Sequence, residues 1–339
     1  MKRTLSLLLA ALTLVFALSG CSAKPKNAVA DGRARPSVCG NLQVKGGKLC
    51  SEEGEPVMLR GASCNGVMVS ESFLNDDFFR ELSEDIGANL YRLAMYTYGV
   101  GTIGYCTKGD KERYKEDIVK GVELAQAHDM YVLIDWHILS DGDPNKYVEE
   151  AKLFFAEMAE KFSGSSNVLY EICNEPNGVD WPAVRRYAEQ VIPVIREKDP
   201  DSVIIVGCPD WSKDLASVAA DPLDYDNIMY TLHFYSASHG KELRDTAERL
   251  SQSGLPIFVT EFGVTASSGG APRDIEGANE WIDMLERENI SYCMWAFSKA
   301  AEECAAIRWT VLKYSGFEQE DYTETGLWLL ETLKKHATK

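Results

Sequence analysis

No two of the nine cysteines stand in a Cys-x-x-Cys pair, which argues against a structural zinc site. Basic residues are in short supply. The 35 Lys and Arg are outnumbered by 52 Asp and Glu, for a net charge of −17. Such a surface repels nucleic acid and anionic lipid headgroups but accepts a neutral polymer. The apolar run over residues 5–18 falls short of the length that crosses a membrane. No low-complexity block interrupts residues 38–339, so one domain is expected there. What remains is an ordinary globular composition, 45% hydrophobic and 26% charged.

The N-terminal stretch reads as a processing segment. Lys2 and Arg3 form a positive start, the run 5–18 follows, and the sequence continues Leu18-Ser19-Gly20-Cys21. That ending resembles the bacterial lipobox, in which the cysteine is lipidated after cleavage. Residues 1–21 are therefore expected to be a lipoprotein-type signal peptide with Cys21 as the lipidation site. Residues 22–37, rich in Ala, Lys, Pro and Arg, are expected to form a flexible tether. The protein is expected outside the cytoplasm at a bacterial cell surface, touching the membrane only through its lipid. In that setting Cys39 and Cys50 are candidates for a small disulfide loop. Cys173, Cys208 and Cys293 lie in or beside apolar strands and are expected as buried thiols.

Through the domain, short apolar runs alternate with amphipathic stretches. Strands are predicted over 57–62, 88–95, 130–136, 168–173, 203–206, 228–233, 256–260 and 292–295. Most are continuously apolar, as strands covered on both faces are. Helices are predicted over 76–86, 111–128, 146–162, 181–197, 242–251, 273–288 and from about 321 to 336. Eight strands with intervening helices give an α/β fold, a (β/α)8 TIM barrel. Lys45-Gly46-Gly47-Lys48 marks a small hairpin ahead of it.

Chemistry in such barrels gathers at the C-terminal ends of the strands. There the sequence places Arg92 and Tyr96, Asp135-Trp136-His137, Asn174-Glu175-Pro176, His233-Phe234-Tyr235, Glu261-Phe262-Gly263 and Trp295. Two glutamates, Glu175 and Glu261, then face one cavity from different strands. Glycoside cleavage needs such a pair: one carboxyl protonates the leaving oxygen, the other attacks the anomeric carbon or activates water. Arg92 and Tyr235 suit a supporting role to an ionised carboxylate. Asn174 suits a sugar hydroxyl, and Trp295 offers a flat apolar face to a pyranose.

The strings LYRLAMYTYG (90–99), VLIDWHILSDGDPN (132–145), VLYEICNEPNG (168–178), TLHFYSASHGKELR (231–244), PIFVTEFG (256–263) and MWAFSKAAEECAA (294–306) occur in that order. Taken together the chain resembles glycoside hydrolase family five, in its bacterial endo-β-1,4-glucanase (cellulase) branch. The resemblance implies a retaining hydrolase with Glu175 as acid/base and Glu261 as nucleophile. It implies that Arg92 and Tyr235 support the nucleophile, that His137, Asn174 and Trp295 line the subsite of the sugar being cleaved, and that His233 lies beside the acid/base. It implies no metal and no organic cofactor. Trp181, which opens the helix after the Asn-Glu-Pro element, is a candidate platform on the leaving side, and a monomer is expected.

The sequence departs from that family on one side of the cleft. Asn65 stands where relatives carry His, and Val69 where they carry a stacking Trp. Ala300 stands where they carry a sugar-binding Lys, with Lys299 one position earlier, while Glu302 matches the family's carboxylate. The same chemistry on mixed-linkage glucan, xyloglucan or mannan is the alternative these changes leave open. A non-catalytic surface glycan-binding protein is a further one.

Overall fold

The computed structural model describes residues 32–99 and 103–337. The expected signal peptide, Cys21 and most of the expected tether lie outside the described residues. A turn of helix, Pro36–Cys39, leads into an antiparallel hairpin of β1 (Gln43–Lys45) and β2 (Lys48–Cys50). Its turn is Gly46-Gly47, at φ +57° and +77°, the left-handed pair that a two-residue hairpin turn favours.

Eight parallel strands follow and close on themselves. They are β3 (Arg60–Ser63), β4 (Leu90–Tyr96), β5 (Tyr131–His137), β6 (Val168–Glu171), β7 (Ile204–Val206), β8 (Ile228–Tyr235), β9 (Ile257–Gly263) and β10 (Tyr292–Met294). Each pairs with the next, and β10 pairs back to β3. The outer layer comprises α1 (Asp76–Arg80), α2 (Lys111–Ala127), α3 (Val148–Phe162), α4 (Trp181–Lys198), α5 (Leu215–Ala220), α6 (Lys241–Gln252), α7 (Ile275–Arg287) and α8 (Glu324–His336). Most of these helices start behind a side-chain cap: Asn75, Asp110, Asp180, Asp214, Asp274 and Thr323 each accept from a first-turn amide. No helix is predicted at α5, because 215–220 is too short to display a helical period.

Alternation along the strands sorts the side chains. Tyr91 and Leu93 of β4, Val132 and Ile134 of β5, and Tyr170 of β6 join the large core beneath the helices. Their neighbours Leu90, Tyr131, Leu133 and Leu169 join a second, smaller core with Ile205, Met229 and Phe258, the packed lumen of the barrel. Farther along the same inward-facing files the residues turn polar: Arg92, Asp135 and Glu171 are fully buried. The apolar lower layer thus supports a charged upper layer.

The lower end of the barrel is sealed by the N-terminal segment. Leu42 and Leu49 complete the luminal core. Val44 donates its amide to Asn227 at 2.9 Å, and the Tyr131 hydroxyl donates to the Gly40 carbonyl at 3.0 Å. Residues 33–37, expected within the tether, belong instead to the folded unit. Asn89 donates to the Ala34 carbonyl at 3.1 Å, and Ser37 bonds Asp129 through its amide at 2.9 Å and its hydroxyl at 2.5 Å. Polar contacts to strand starts hold this segment, and those leave no periodicity in a sequence. Cys39 and Cys50 are free thiols, so the expected disulfide is absent. Cys50 sits over its own hairpin, its sulfur 3.6 Å from the Lys48 carbonyl. Cys173, Cys208 and Cys293 are buried, as their neighbours predict.

Candidate active site

A cleft of about 670 Å³ opens at the C-terminal ends of the strands, with Glu175, Glu261, His137, Tyr235 and Trp295 in its lining. Its floor is organised by Arg92, which lies fully buried on β4. The guanidinium donates to both oxygens of Glu171, at 2.7 and 3.2 Å, to Glu261 Oε2 at 3.0 Å and to Asn174 Oδ1 at 2.6 Å. Asp135 Oδ2 stands 2.9 Å from it. One planar, permanently charged fork thereby fixes groups from three other strands. Tyr235 donates its hydroxyl to Glu261 Oε1 at 2.7 Å, so both oxygens of Glu261 are held by donors.

Glu175 belongs to a different chain of contacts. Its Oε1 is 2.8 Å from His233 Nδ1, and His233 Nε2 is 3.0 Å from the Thr260 hydroxyl. Thr260 in turn donates to Glu171 Oε1 at 2.7 Å. The polarity of this chain follows from its far end. Glu171 is anchored by Arg92 as an acceptor, so Thr260 spends its hydrogen there and accepts from His233 Nε2–H. A neutral imidazole has one N–H, which leaves Nδ1 as an acceptor facing Glu175. Only a protonated Glu175 can donate into that position.

The electrostatics agree. Burial pushes the Glu175 carboxyl up to about 8, against the pull of Arg92 and Lys213. Burial also holds the His233 imidazole down at about 4, hence neutral. Asp135 is raised to about 8 and Glu171 is raised too, in both cases by burial against Arg92. One cation among four buried carboxyls leaves protons behind in the cluster. Burial, with the Arg92 charge adding to it, lowers His137 to about 3. Its Nδ1 is bonded to Asp135 at 2.6 Å, and its ring stacks on Trp295, centroids 5.1 Å apart and 13° from parallel.

Single oxygens of Glu175 and Glu261, with a nitrogen of His233, lie within 4.8 Å of one another. That spacing suits the close carboxyl pair of glycosidases that pass through a covalent intermediate. Enzymes that invert keep theirs about 6.5–9.5 Å apart to admit a water.

The chain matches the family model described as cellulase (glycosyl hydrolase family 5) over residues 50–301. The chain belongs to glycosyl hydrolase family 5. It is 42% identical to Endoglucanase A of Butyrivibrio fibrisolvens over 304 residues, 88% of this chain and 70% of that protein. It is 39% identical to an endoglucanase of Clostridium saccharobutylicum over 334 residues, 98% of this chain and 72% of that one. The catalytic domain of a Thermobifida fusca endoglucanase, solved with cellotetraose, superposes with a TM-score of 0.84 at 36% identity, covering 89% of this chain and all of that one.

The family 5 barrel brings together nearly all the residues singled out from sequence. Arg92, Asn174, Glu175, His233, Tyr235, Glu261, His137 and Trp295 form the floor just described, and Asn65 and Glu302 line the cleft beside it. Trp181 does not join them. It is buried, donates its indole N–H to the Asp221 carbonyl at 2.7 Å and packs edge-on against Tyr230. Its place at the first turn of α4 directs it into the core, so it is no platform. Two floor residues escaped the sequence reading. Glu171 closes β6, two residues short of the predicted strand end, and Thr260 lies inside β9 next to Glu261. A third residue, Trp211, escaped because it lies in a left-handed turn, φ +54°, and not in a strand or helix. It is 46% exposed, and its amide donates to the Pro176 carbonyl, one residue past Glu175.

Proposed function

We propose that this family 5 enzyme is a retaining endo-β-1,4-glucanase in which Glu261 is the nucleophile and Glu175 the acid/base. The observation that carries the assignment is the opposed setting of the two carboxyls. Glu261 receives two donors, Arg92 and Tyr235, while Glu175 faces an acceptor nitrogen and is held protonated up to about pH 8. In the first step Glu261 attacks the anomeric carbon, the glycosidic bond breaks, and the proton of Glu175 passes to the leaving oxygen. In the second step the Glu175 carboxylate takes a proton from water. That water attacks the same carbon and releases Glu261, so the configuration is retained. Trp295 forms the apolar floor under the sugar being cleaved. Asn174 keeps one loose contact, 3.4 Å to His137 Nε2, which a sugar hydroxyl can replace. Trp211, with Lys213 over its ring at 5.5 Å, is the leaving-side platform in place of Trp181.

The endoglucanase names of the relatives favour β-1,4-glucan over mixed-linkage glucan, xyloglucan and mannan. The complete pair of carboxyls argues against a purely binding role. We place the enzyme outside the cytoplasm, held by lipid on Cys21, as a monomer. Lys2, Arg3 and the Leu18–Cys21 string support the export and lipid part of that reading.

Replacing Glu261 with Gln removes the nucleophile and is expected to lower kcat on carboxymethylcellulose by about four orders of magnitude while leaving the fold intact. Retention of more than a tenth of wild-type activity would overturn the assignment.

A further inference from the structure

A second cavity, about 750 Å³, adjoins the catalytic cleft. The two share Ser268, Gly269 and Glu302 in their walls, so they meet along that edge. Gly269 sits at this junction with φ +78°, and a Cβ there would approach the Cys304 sulfur to 3.3 Å. Beyond it the cavity is walled by Arg273, Glu303, Glu324, Arg308 and one aromatic, Trp309.

Trp309 is 68% exposed. An open indole offers a flat apolar face on which a pyranose ring can stack, and here its surroundings are fixed and polar. The loop that carries it is braced at several points. Arg308 donates its amide to Asp321 at 2.8 Å and its Nε to Glu320 at 3.0 Å. Lys299 donates to the Val311 carbonyl at 2.8 Å and lies 3.5 Å from the centre of the Tyr314 ring. Glu81 accepts from the amides of Gly316 and Phe317 at 2.6 and 3.0 Å. A ring presented by a braced loop loses little side-chain freedom on binding. Across the cavity Arg273 is paired with Glu303 at 2.5 Å and with Glu324, which sets out donors and acceptors along the same wall.

Lys299 has therefore left the cleft. The cation that sequence places one residue before Ala300 is consumed in holding the Trp309 loop. The cleft has no aromatic at Val69, and the second cavity has no cation at Ala300, but that cavity offers an aromatic, Trp309, with Arg273 and Arg308 beside it.

We propose that the Trp309 cavity is a distal glycone subsite, taking a glucosyl unit of the chain beyond the one next to the cleavage-site sugar. The ring face of that glucosyl lies on the indole, and its hydroxyls bond to Arg308 and the Arg273–Glu303 pair. This rests on the hydrolase reading above. It adds that recognition has moved outward along the same chain.

The test compares substrates of two lengths. An aryl β-cellobioside ends short of Trp309, whereas cellohexaose reaches it. In Trp309→Ala, kcat/KM on cellohexaose is expected to fall about five-fold through KM, with the aryl cellobioside unaffected, and Trp309→Tyr is expected to restore most of the loss. Equal effects on the two substrates, or none on cellohexaose, overturn the subsite. If the wild-type enzyme cleaves neither substrate, the hydrolase reading itself has failed, which is a separate outcome.

Discussion

The floor of the cleft and its rim are built on opposite terms. On the floor, Arg92, Asp135, Asn174 and Glu171 have no solvent exposure, and each is held by side chains from other strands. On the rim, Val69 is 66% exposed, Ile103 56% and Trp309 68%, the first on the helical turn Val67–Ser70 and the other two on loops. A change on the floor must satisfy several buried charges at once. A change on the rim disturbs little beyond the residue itself. The lost aromatic and cation of the rim, beside an intact floor, are what this difference leads one to expect.

The comparison is broken most severely at Arg92. Lysine cannot reach Glu171, Glu261 and Asn174 together. Arg92→Lys is expected to lower kcat at least about a hundred-fold and to cost about 3–5 kcal/mol of stability, the cost of breaking a buried ion pair. Chemical denaturation and steady-state rates on carboxymethylcellulose check both. Stability within about 1 kcal/mol of wild type would show that the floor is not cross-braced as described.

A subtler change separates the charges of the floor from their hydrogen-bond polarity. Glu175 must be protonated to act as acid, so kcat/KM is expected to fall as the pH rises through about 8. Thr260→Val removes the acceptor that fixes the His233 tautomer. The Nδ1 acceptor then no longer favours protonated Glu175, and the alkaline limb is expected to move to lower pH. A pH–rate profile of the two proteins decides it, and an unmoved or raised limb would remove the Thr260 link from the mechanism.

The smallest effect is expected on the rim. Val69→Trp returns an indole to the exposed wall of the cleft and is expected to lower KM on cellotetraose about five-fold, leaving kcat unchanged. A change in kcat instead would mean that the rim reaches the chemistry.

Much of the floor was legible in the sequence because period-two strands put functional residues at predictable ends. Glu175, His233, Tyr235 and Glu261 stand where the strand-end rule placed them, and all eight strands are present. The rule fails one layer down. Glu171 closes β6 where the predicted strand runs on to 173, and only the Arg92 contact shows why a charge is tolerated there. It fails on loops as well. Trp211 and Trp309 owe their places to a left-handed turn and a braced excursion, which no periodicity records. Trp181 misled because proximity to the Asn-Glu-Pro element in sequence does not say which way a helix's first turn faces. Residues 33–37 misled because polar contacts, not an apolar stripe, fasten them.

Those same residues fix an orientation. The segment from Ala34 to the hairpin is fastened across the starts of the strands, at Asn89, Tyr131 and Asn227, whereas the cleft opens at their other ends. Whatever grips this protein by its N-terminal side grips the closed base of the barrel. The mouth then opens on the opposite face, so an attachment on the N-terminal side would leave the cleft clear for a glucan.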